Sequence, residues 1–420
     1  MRRVIETLVG FAILTGAVVG ITALTPAELP RVTTVEAIRS TKVVCVPAAA
    51  GATVMVDSAT TVTPLGGATT QTNRAVLTGQ DASVVAEGTD DPMGSTIAGA
   101  DGVRTLTQCV KPASRGVIAL PATADTQLKI VNPDASEAAI DLTLYGAEGE
   151  IQSLGARGIT LAAYEERVIA LSVLTKKATP VGVSFQASRG RAAVMAITQT
   201  QSSGTAAGPS QLGTSHLLPG IPAGATSSVI VLANPSETRI TANLTAYGTT
   251  PAYHPQGGEN ISIPSHASVS VSLENALLGE ASAIQVSSDA PVMAGMAFTL
   301  GDSAQVAPVS AGTSLGAFTP PGGTLQLTNP GEGDVQATVT ATGADGTEER
   351  ATVTVGTGQT TVHKLPTATE QGQRVVVSSD QPLFGAVVSS GDTGSWAAPL
   401  ESMTKGENPP LAAELDPGLH

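Results

Sequence analysis

Apolar and polar residues alternate along much of the chain, and three of these ladders stand in register with one another. The first sets Ile140, Leu142 and Leu144 against Asp141, Thr143 and Tyr145. The second sets Ala242, Leu244 and Ala246 against Asn243, Thr245 and Tyr247. The third sets Ala337, Val339 and Ala341 against Thr338, Thr340 and Thr342. A period of two with one apolar face predicts a half-buried β-strand. Each ladder starts eight residues after an Asn-Pro step, at Asn132-Pro133, Asn234-Pro235 and Asn329-Pro330. Each closes on Tyr145-Gly146, Tyr247-Gly248 or Thr342-Gly343, the pair beginning thirteen residues after the Asn.

Asn can hydrogen-bond its own backbone in a turn. Pro has no N–H for a ladder and holds its predecessor extended. The pair therefore ends one strand, and a short polar turn starts the next. The three steps lie 102 and 95 residues apart (234 − 132 and 329 − 234), and the matched registers mark an internal duplication. Each copy also ends alike. Ser287–Phe298 (SSDAPVMAGMAF) matches Ser378–Val388 (SSDQPLFGAVV), and Ser188–Ile197 is a looser version. The near-continuous apolar run after this bend suits a strand buried in a sandwich.

Many short strands punctuated by Gly, Pro, Asn and Asp predict an all-β protein of tandem immunoglobulin-like β-sandwich domains behind an N-terminal transmembrane helix. The expected organisation is a cytoplasmic stub and membrane anchor over 1–24 and a linker over 25–42. A small β-rich domain without the Asn-Pro device follows over 43–112. Sandwich repeats then occupy 113–205, 206–308 and 309–398, and a disordered tail fills 399–420. Leu273–Glu280 is the one helical candidate, of two turns at most, and Thr198–Gly213 reads as a linker or long loop.

Arg2 and Arg3 precede an uncharged run from Thr7 to Leu24, long enough to cross a hydrocarbon core and oriented with its N-terminus inside. A retained signal anchor is favoured over a cleaved signal peptide, because no clean cleavage site follows. The bulk of the chain is then extracytoplasmic, at the plasma membrane, or secreted if the segment is cleaved. Cys45 and Cys109, the only cysteines, flank the small domain. A disulfide is the natural reading in an oxidising space, with two unpaired buried thiols as the alternative.

The net charge of −14 repels phosphate backbones and argues against nucleic-acid partners. Aromatics make up only 2% of the chain, few for stacking on sugars or bases. Gly312–Gly316 (GTSLG) fits the nucleophile-elbow pattern, but the following Pro-Pro-Gly-Gly cannot be the helix that the elbow needs. Ser314 therefore reads as an inter-domain turn. His216, His254, His266, His363 and His420 show no metal-ligand spacing and read as surface loop residues. His254 and His266 can meet across a hairpin. The acidic turns at 88–94, 145–150 and 343–349 match no calcium-binding loop. No cofactor, metal or catalytic constellation is expected. Trp396 reads as a plug beneath the tail.

The Arg-Arg before an apolar span, the Cys45-Val46-Pro47 start and the strand–Asn-Pro–turn–strand–Tyr-Gly repeats closing on Ser-Asp-x-Pro resemble a family of uncharacterised actinobacterial envelope proteins of unknown function. The resemblance implies a cell-envelope location and carries no activity or functional residues. Repeat 3 departs from it in lacking the Tyr, and repeat 1 in lacking the terminal Pro. The function expected is a non-enzymatic, membrane-anchored scaffold or interaction protein with an envelope protein partner. A wall-glycan-binding module and an unrecognised hydrolase are the alternatives.

Overall fold

A computed structural model describes residues 41–89, 92–98, 105–175, 180–199, 204–343, 345–366, 372–389 and 395–403. The anchor and most of the linker and tail expected from the sequence lie outside these residues. Among the described residues no helix is long and apolar enough to cross a membrane.

The chain is all-β, and each repeat builds the same eight strands, to which repeat 1 adds Gly149–Ile151 and repeat 3 adds Glu401–Ser402. In repeat 2 the first five are Gly213–Ile221, Ser227–Ala233, Ile240–Tyr247, Ile261–Ile263 and Ser268–Ser272. The sixth and seventh are the two halves of Ser282–Leu300, and the eighth is Asp302–Val306. Numbered in this way, one sheet runs 1-6-3-4 and the other 5-2-7-8, with every pairing antiparallel. Repeat 3 repeats the order, from Gly312–Thr319 to Trp396–Pro399, with Gln373–Ser389 supplying its sixth and seventh strands. In repeat 1 those two strands are separate, Pro180–Arg189 and Ala193–Gln199.

The N-terminal unit has this order too. Its strands Thr41–Cys45, Val84–Gly88, Thr61–Pro64 and Thr70–Gln71 form the 1-6-3-4 sheet. Arg74–Gln80, Ala52–Asp57, Met93–Ala98 and Thr105–Gln108 form the 5-2-7-8 sheet. The small domain of the sequence reading is thus a fourth copy of the same sandwich.

The strand order corrects the immunoglobulin comparison. In that fold the first strand joins the sheet of the second and fifth, while the sixth and seventh form a hairpin in the other sheet. Here the sixth strand runs into the seventh without turning back. A strand that does not reverse cannot pair with itself, so its second half enters the opposite sheet. The Asp289-Ala290-Pro291 bend marks the crossing, a corner at which a strand changes sheets. Thr198–Gly213, expected as a linker, contains the end of the seventh strand and the eighth strand, Gly204–Ala207. Leu273–Glu280 forms turns and no helix.

The Asn of each Asn-Pro step is buried at this corner. Asn234 Nδ2 donates to the carbonyls of Thr238 (2.7 Å), Ile263 (3.2 Å) and Pro264 (3.0 Å), and Oδ1 accepts from Ser236 N. Asn132 makes the same set to Ser136, Leu161, Ala162 and Asp134. Asn329 bonds Gly333, Val355 and Gly331. One amide therefore ties the end of the second strand to the end of the fourth. The N-terminal unit has Ser58-Ala59 at this corner, with Ser58 at φ 60°, and no such brace. It carries instead the Cys45–Cys109 disulfide, which joins the first strand to the residue after the eighth.

Between units, the 1-6-3 face of one packs on the 2-7 face of the next. Val44, Val46 and Val85 meet Val131, Ala193 and Met195 at the first seam. Val117, Ala119 and Tyr145 meet Val231, Ala233 and Met293 at the second. Leu217, Tyr247 and Ala283 meet Phe384 at the third. The fourth seam joins repeat 3 back to the N-terminal unit. Arg374 Nη1 pairs with Asp57 at 3.0 Å, Arg74 donates to Gly343 O at 2.8 Å, and its guanidinium lies 5.1 Å from the Phe318 ring centroid. Met93, Ala193, Met293 and Phe384 share one register position, opposite the second strand, and each faces a seam. Head-to-tail contacts of this kind form a ring when their rotation closes. Here they close after four units, so the sandwiches do not string out as separate beads.

The first seam is also ionic. Lys42 Nζ lies 2.9 Å from Asp134 Oδ1, and Arg191 Nε lies 2.8 Å from Asp134 Oδ2. Hydrogen bonding from Arg191, then from Lys42, holds the Asp134 carboxyl down to about 2 against the cost of its burial.

Three predictions follow from these contacts. Asn234→Ala removes a buried amide that bonds three carbonyls, of which the one at Ile263 is fully buried, and should cost about 1–3 kcal/mol in urea unfolding. Asp57→Ala and Arg374→Ala should couple by about 1–3 kcal/mol in a double-mutant cycle, whereas an open array gives no coupling. A depressed carboxyl stabilises the fold above its unfolded pKa of about 4, and that stability is lost as pH falls toward about 2. Asp134→Asn should therefore cost about 1–2 kcal/mol at pH 7, allowing for solvent screening, and cost nothing near pH 2, as read by melting at the two pH values.

Candidate functional site

The four eighth strands lie side by side around the middle of the ring: N-terminal unit, repeat 1, repeat 2, repeat 3, and back. At their ends lies an open cavity of about 310 Å³. Register explains its lining. Thr107, Ala207, Val306 and Ala398 occupy one position, each opposite the equivalent residue of its own seventh strand. The residues before them (Leu106, Ala206, Gln305, Ala397) and after them (Gln108, Gly208, Ala307, Pro399) all line the cavity. The cavity thus sits on the pseudo-fourfold axis and receives the same two positions from every unit.

Most of these residues are small or apolar, and two are amides. Gln305 is 9% exposed. Its Nε2 reaches Thr198 Oγ1 at 3.5 Å in repeat 1, while its Oε1 is buried without a partner. Gln108 Nε2 is buried and likewise unpartnered. Glu401 and Ser402, from the short strand that pairs with the first strand of repeat 3, complete one wall. A lining of apolar surface with a few placed polar groups is the usual chemistry of a small-molecule pocket. The periodicity of the eighth strands carries no sign of it, because each is only four or five residues long.

The residues singled out in the sequence lie elsewhere. Cys45 and Cys109 form their disulfide inside the N-terminal core. Asn132, Asn234 and Asn329 are corner braces. Ser314 is within a strand, opposite Ser378, and not in the turn expected of it. His216 is buried and not on a surface loop. Its Nε2 lies 3.0 Å from Gly213 O and 2.9 Å from Val292 O, and burial pushes its pKa down. His254 Nδ1 faces Leu244 O at 2.9 Å. His266 pairs with Glu237 at 3.0 Å and stacks on Tyr145 across the second seam. The two histidines anticipated as a pair are thus held by separate partners. His363 lies in the fifth strand of repeat 3. Trp396 is buried in the eighth strand of that repeat. The first residues of the tail expected to be disordered are ordered instead: Pro399 ends the eighth strand, Leu400 is buried and Glu401–Ser402 pairs with the first strand of repeat 3, while 404–420 lie outside the described residues. His420 lies outside them too. Among the described residues no three His, Cys, Asp or Glu side chains converge on a metal-sized site.

The Tyr-Gly pairs prove to be seam contacts. Ser268 Oγ donates to Tyr145 O at 3.0 Å, and Thr360 Oγ1 donates to Tyr247 O at 2.6 Å. The Tyr247 ring meets Phe384 edge-on, with centroids 6.2 Å apart. Repeat 3 has Thr342 in place of Tyr, and at its seam the N-terminal unit sends Arg74 to Gly343 O.

No curated protein matches this chain. A solved structure titled "Crystal structure of tetra-tandem repeat in extending region of large adhesion protein" is 13% identical, with 87% of this chain and 100% of that one covered. Its TM-score is 0.11, too low to inform the fold. A model of a family of unknown function, DUF5719, matches residues 59–366. That span is most of the chain, and the protein belongs to this family.

Proposed function

We propose that the protein is a non-enzymatic interaction protein of the cell envelope, held at the plasma membrane by residues 7–24 and presenting a rigid ring outside the cytoplasm. The observation that carries this reading is the closure of the ring. Four seams bury the large apolar faces against one another and fix the outward-facing strands as one body. Such a body suits a docking platform better than a flexible spacer. The disulfide accords with an oxidising compartment, and the Arg2-Arg3 apolar segment accords with an inside N-terminus.

The fourth and fifth strands form the outer edges of the sheets. Among the fourth strands, Glu348–Val355 in repeat 3 is the longest, at eight residues, and its N-terminal half is exposed. An edge of this kind accepts an added strand from a partner chain. The immunoglobulin-like comparison survives in this proposal as a way of using sandwich edges, not as a strand order.

Proximity labelling in living cells with the full-length chain, followed by co-purification from the membrane fraction, tests the reading. One or two stoichiometric envelope proteins should be recovered, and recovery should fall at least tenfold when Thr352→Pro interrupts the edge strand. Recovery of the protein alone, or mainly from culture medium, overturns the anchored-platform reading.

A further inference from the structure

We propose that the open side of repeat 3 receives an extended segment of a partner protein, added to the edge of Glu348–Val355. That segment sets an apolar side chain into the groove beside the edge and a basic one against Glu349. The inference rests on the docking-edge reading above and names the chemistry of what docks there.

Each sandwich has a side on which its fourth and fifth strands flank the gap between the two sheets. Repeats 1 and 2 close that gap with their own residues. Twelve residues after the Asn, Leu144 and Ala246 stand opposite Ile151 and Tyr253. Four residues before the Asn, Leu128 and Ile230 stand opposite Ile169 and Val271. Ile151, Ile169, Tyr253 and Val271 all pack on their cores. The stretch after the fifth strand adds Leu171 and Leu174 in repeat 1, and Leu273 and Leu277 in repeat 2, all buried.

Repeat 3 keeps the registers and changes the residues. Ala341 stands opposite Glu349, and Leu325 stands opposite His363. Leu365 is buried where Leu171 and Leu273 are, but the sequence after Pro366, TATEQ over 367–371, holds no large apolar residue. Glu349, Ala351, His363, Leu365 and the buried Val339 line a groove of about 290 Å³. Glu349 is exposed, and Ala351 and His363 are half-buried, so the groove opens to solvent.

The backbone beside the groove is open as well. Gly343 N donates to Thr347 O. Counted in twos from that bond, Glu349, Ala351 and Val353 turn their N–H and C=O toward the third strand. Glu348, Arg350 and Thr352 turn theirs toward the edge, where the sheet ends. Thr354 O, the next in this row, accepts from Thr361 Oγ1 at 3.2 Å, so the open stretch runs from Glu348 to Thr352. Such a row accepts an added strand, and antiparallel addition continues the pairing of the third and fourth strands.

Charge and shape then set the occupant. Side chains directly opposite one another on paired strands interact, and opposite charges attract. Arg350 is engaged by Glu348 at 2.9 Å, whereas Glu349 has no ion pair among the described residues, so the added residue opposite Glu349 is basic. Lys364 borders the groove from the fifth strand, which keeps that basic side chain on the Glu349 side. The added residue opposite Ala351 faces the groove. It is apolar and supplies the cover that Leu174 and Leu277 supply in the other repeats.

The probe is a short capped peptide of alternating threonine and valine with lysine in place of the last valine. It is titrated against the full-length chain in detergent micelles and followed by fluorescence anisotropy. Paired antiparallel, it sets valine opposite Ala351 and lysine opposite Glu349, and its binding should saturate. The peptide with glutamate for lysine should bind at least threefold more weakly, and Glu349→Lys, at an exposed position, should reverse that order. Serine for the valine opposite Ala351 should weaken binding at least tenfold, as should Thr352→Pro, which removes one edge donor. A photoreactive group at that valine should cross-link to residues 363–366. Absence of saturable binding, equal binding of the lysine and glutamate peptides, or cross-links outside the groove overturns the proposal. If an envelope partner is recovered from cells and lost with Thr352→Pro while the peptides show no charge preference, the docking edge stands and the chemistry named here falls. Charge-dependent peptide binding with no partner recovered from cells overturns the docking platform alone.

Discussion

The whole molecule depends on one repeated contact, the packing of a 1-6-3 face against the 2-7 face of the following unit. A sandwich already buries the inner faces of its two sheets. What remains on the outside of each is still apolar at the register position of Met93, Ala193, Met293 and Phe384. Those outer faces need cover, and a neighbour of the same design supplies it. Because the two faces of a unit differ, the contact has a direction, and repeating it turns the chain steadily until the last unit meets the first. Ring, axis and cavity all follow from that one geometry.

The corner where the sixth strand becomes the seventh makes the contact possible. In repeats 2 and 3 it sends one strand through both sheets, and in the other two units the sixth and seventh strands follow each other across the same corner after a break of a few residues. The buried Asn of the Asn-Pro step fixes the same corner from the other side by tying the second strand to the fourth. In the N-terminal unit the amide brace is absent and a disulfide joins the first strand to the end of the eighth. The two devices restrain different strands, but each removes freedom from the loops that border a seam. The Tyr-Gly pairs act one step later, laying their carbonyls and rings on the next unit.

Much of this was legible in the residues. The Asn-Pro spacing announced three copies, the period-two ladders announced strands, and the two cysteines announced their bond. The fourth copy was not legible, because the unit over 43–112 keeps the strand order while discarding both the Asn-Pro step and the Tyr-Gly pair. Strand order leaves no mark in composition, and only pairing reveals it. The exchange of partners at the sixth and seventh strands was hidden for a related reason. An Asp-x-Pro bend looks the same whether the chain turns back into a hairpin or passes into the facing sheet. The lining of the axial cavity lies in strands too short for periodicity, and it takes shape only when four distant segments are superposed. His216 shows the opposite failure. A histidine in a Ser- and Thr-rich run reads as surface, yet two backbone carbonyls receive its ring in the interior.

Three of the four seams are crossed by the polypeptide, which passes from each unit directly into the next. The fourth is not: Arg374 meets Asp57, and Arg74 meets Gly343, with no peptide bond between their units. The two faces are nevertheless presented to each other by a stiff three-seam arc, at an effective concentration far above that of any competing molecule. A contact too weak to hold two separate molecules together is then enough to keep the circle shut, and dilution does not open it.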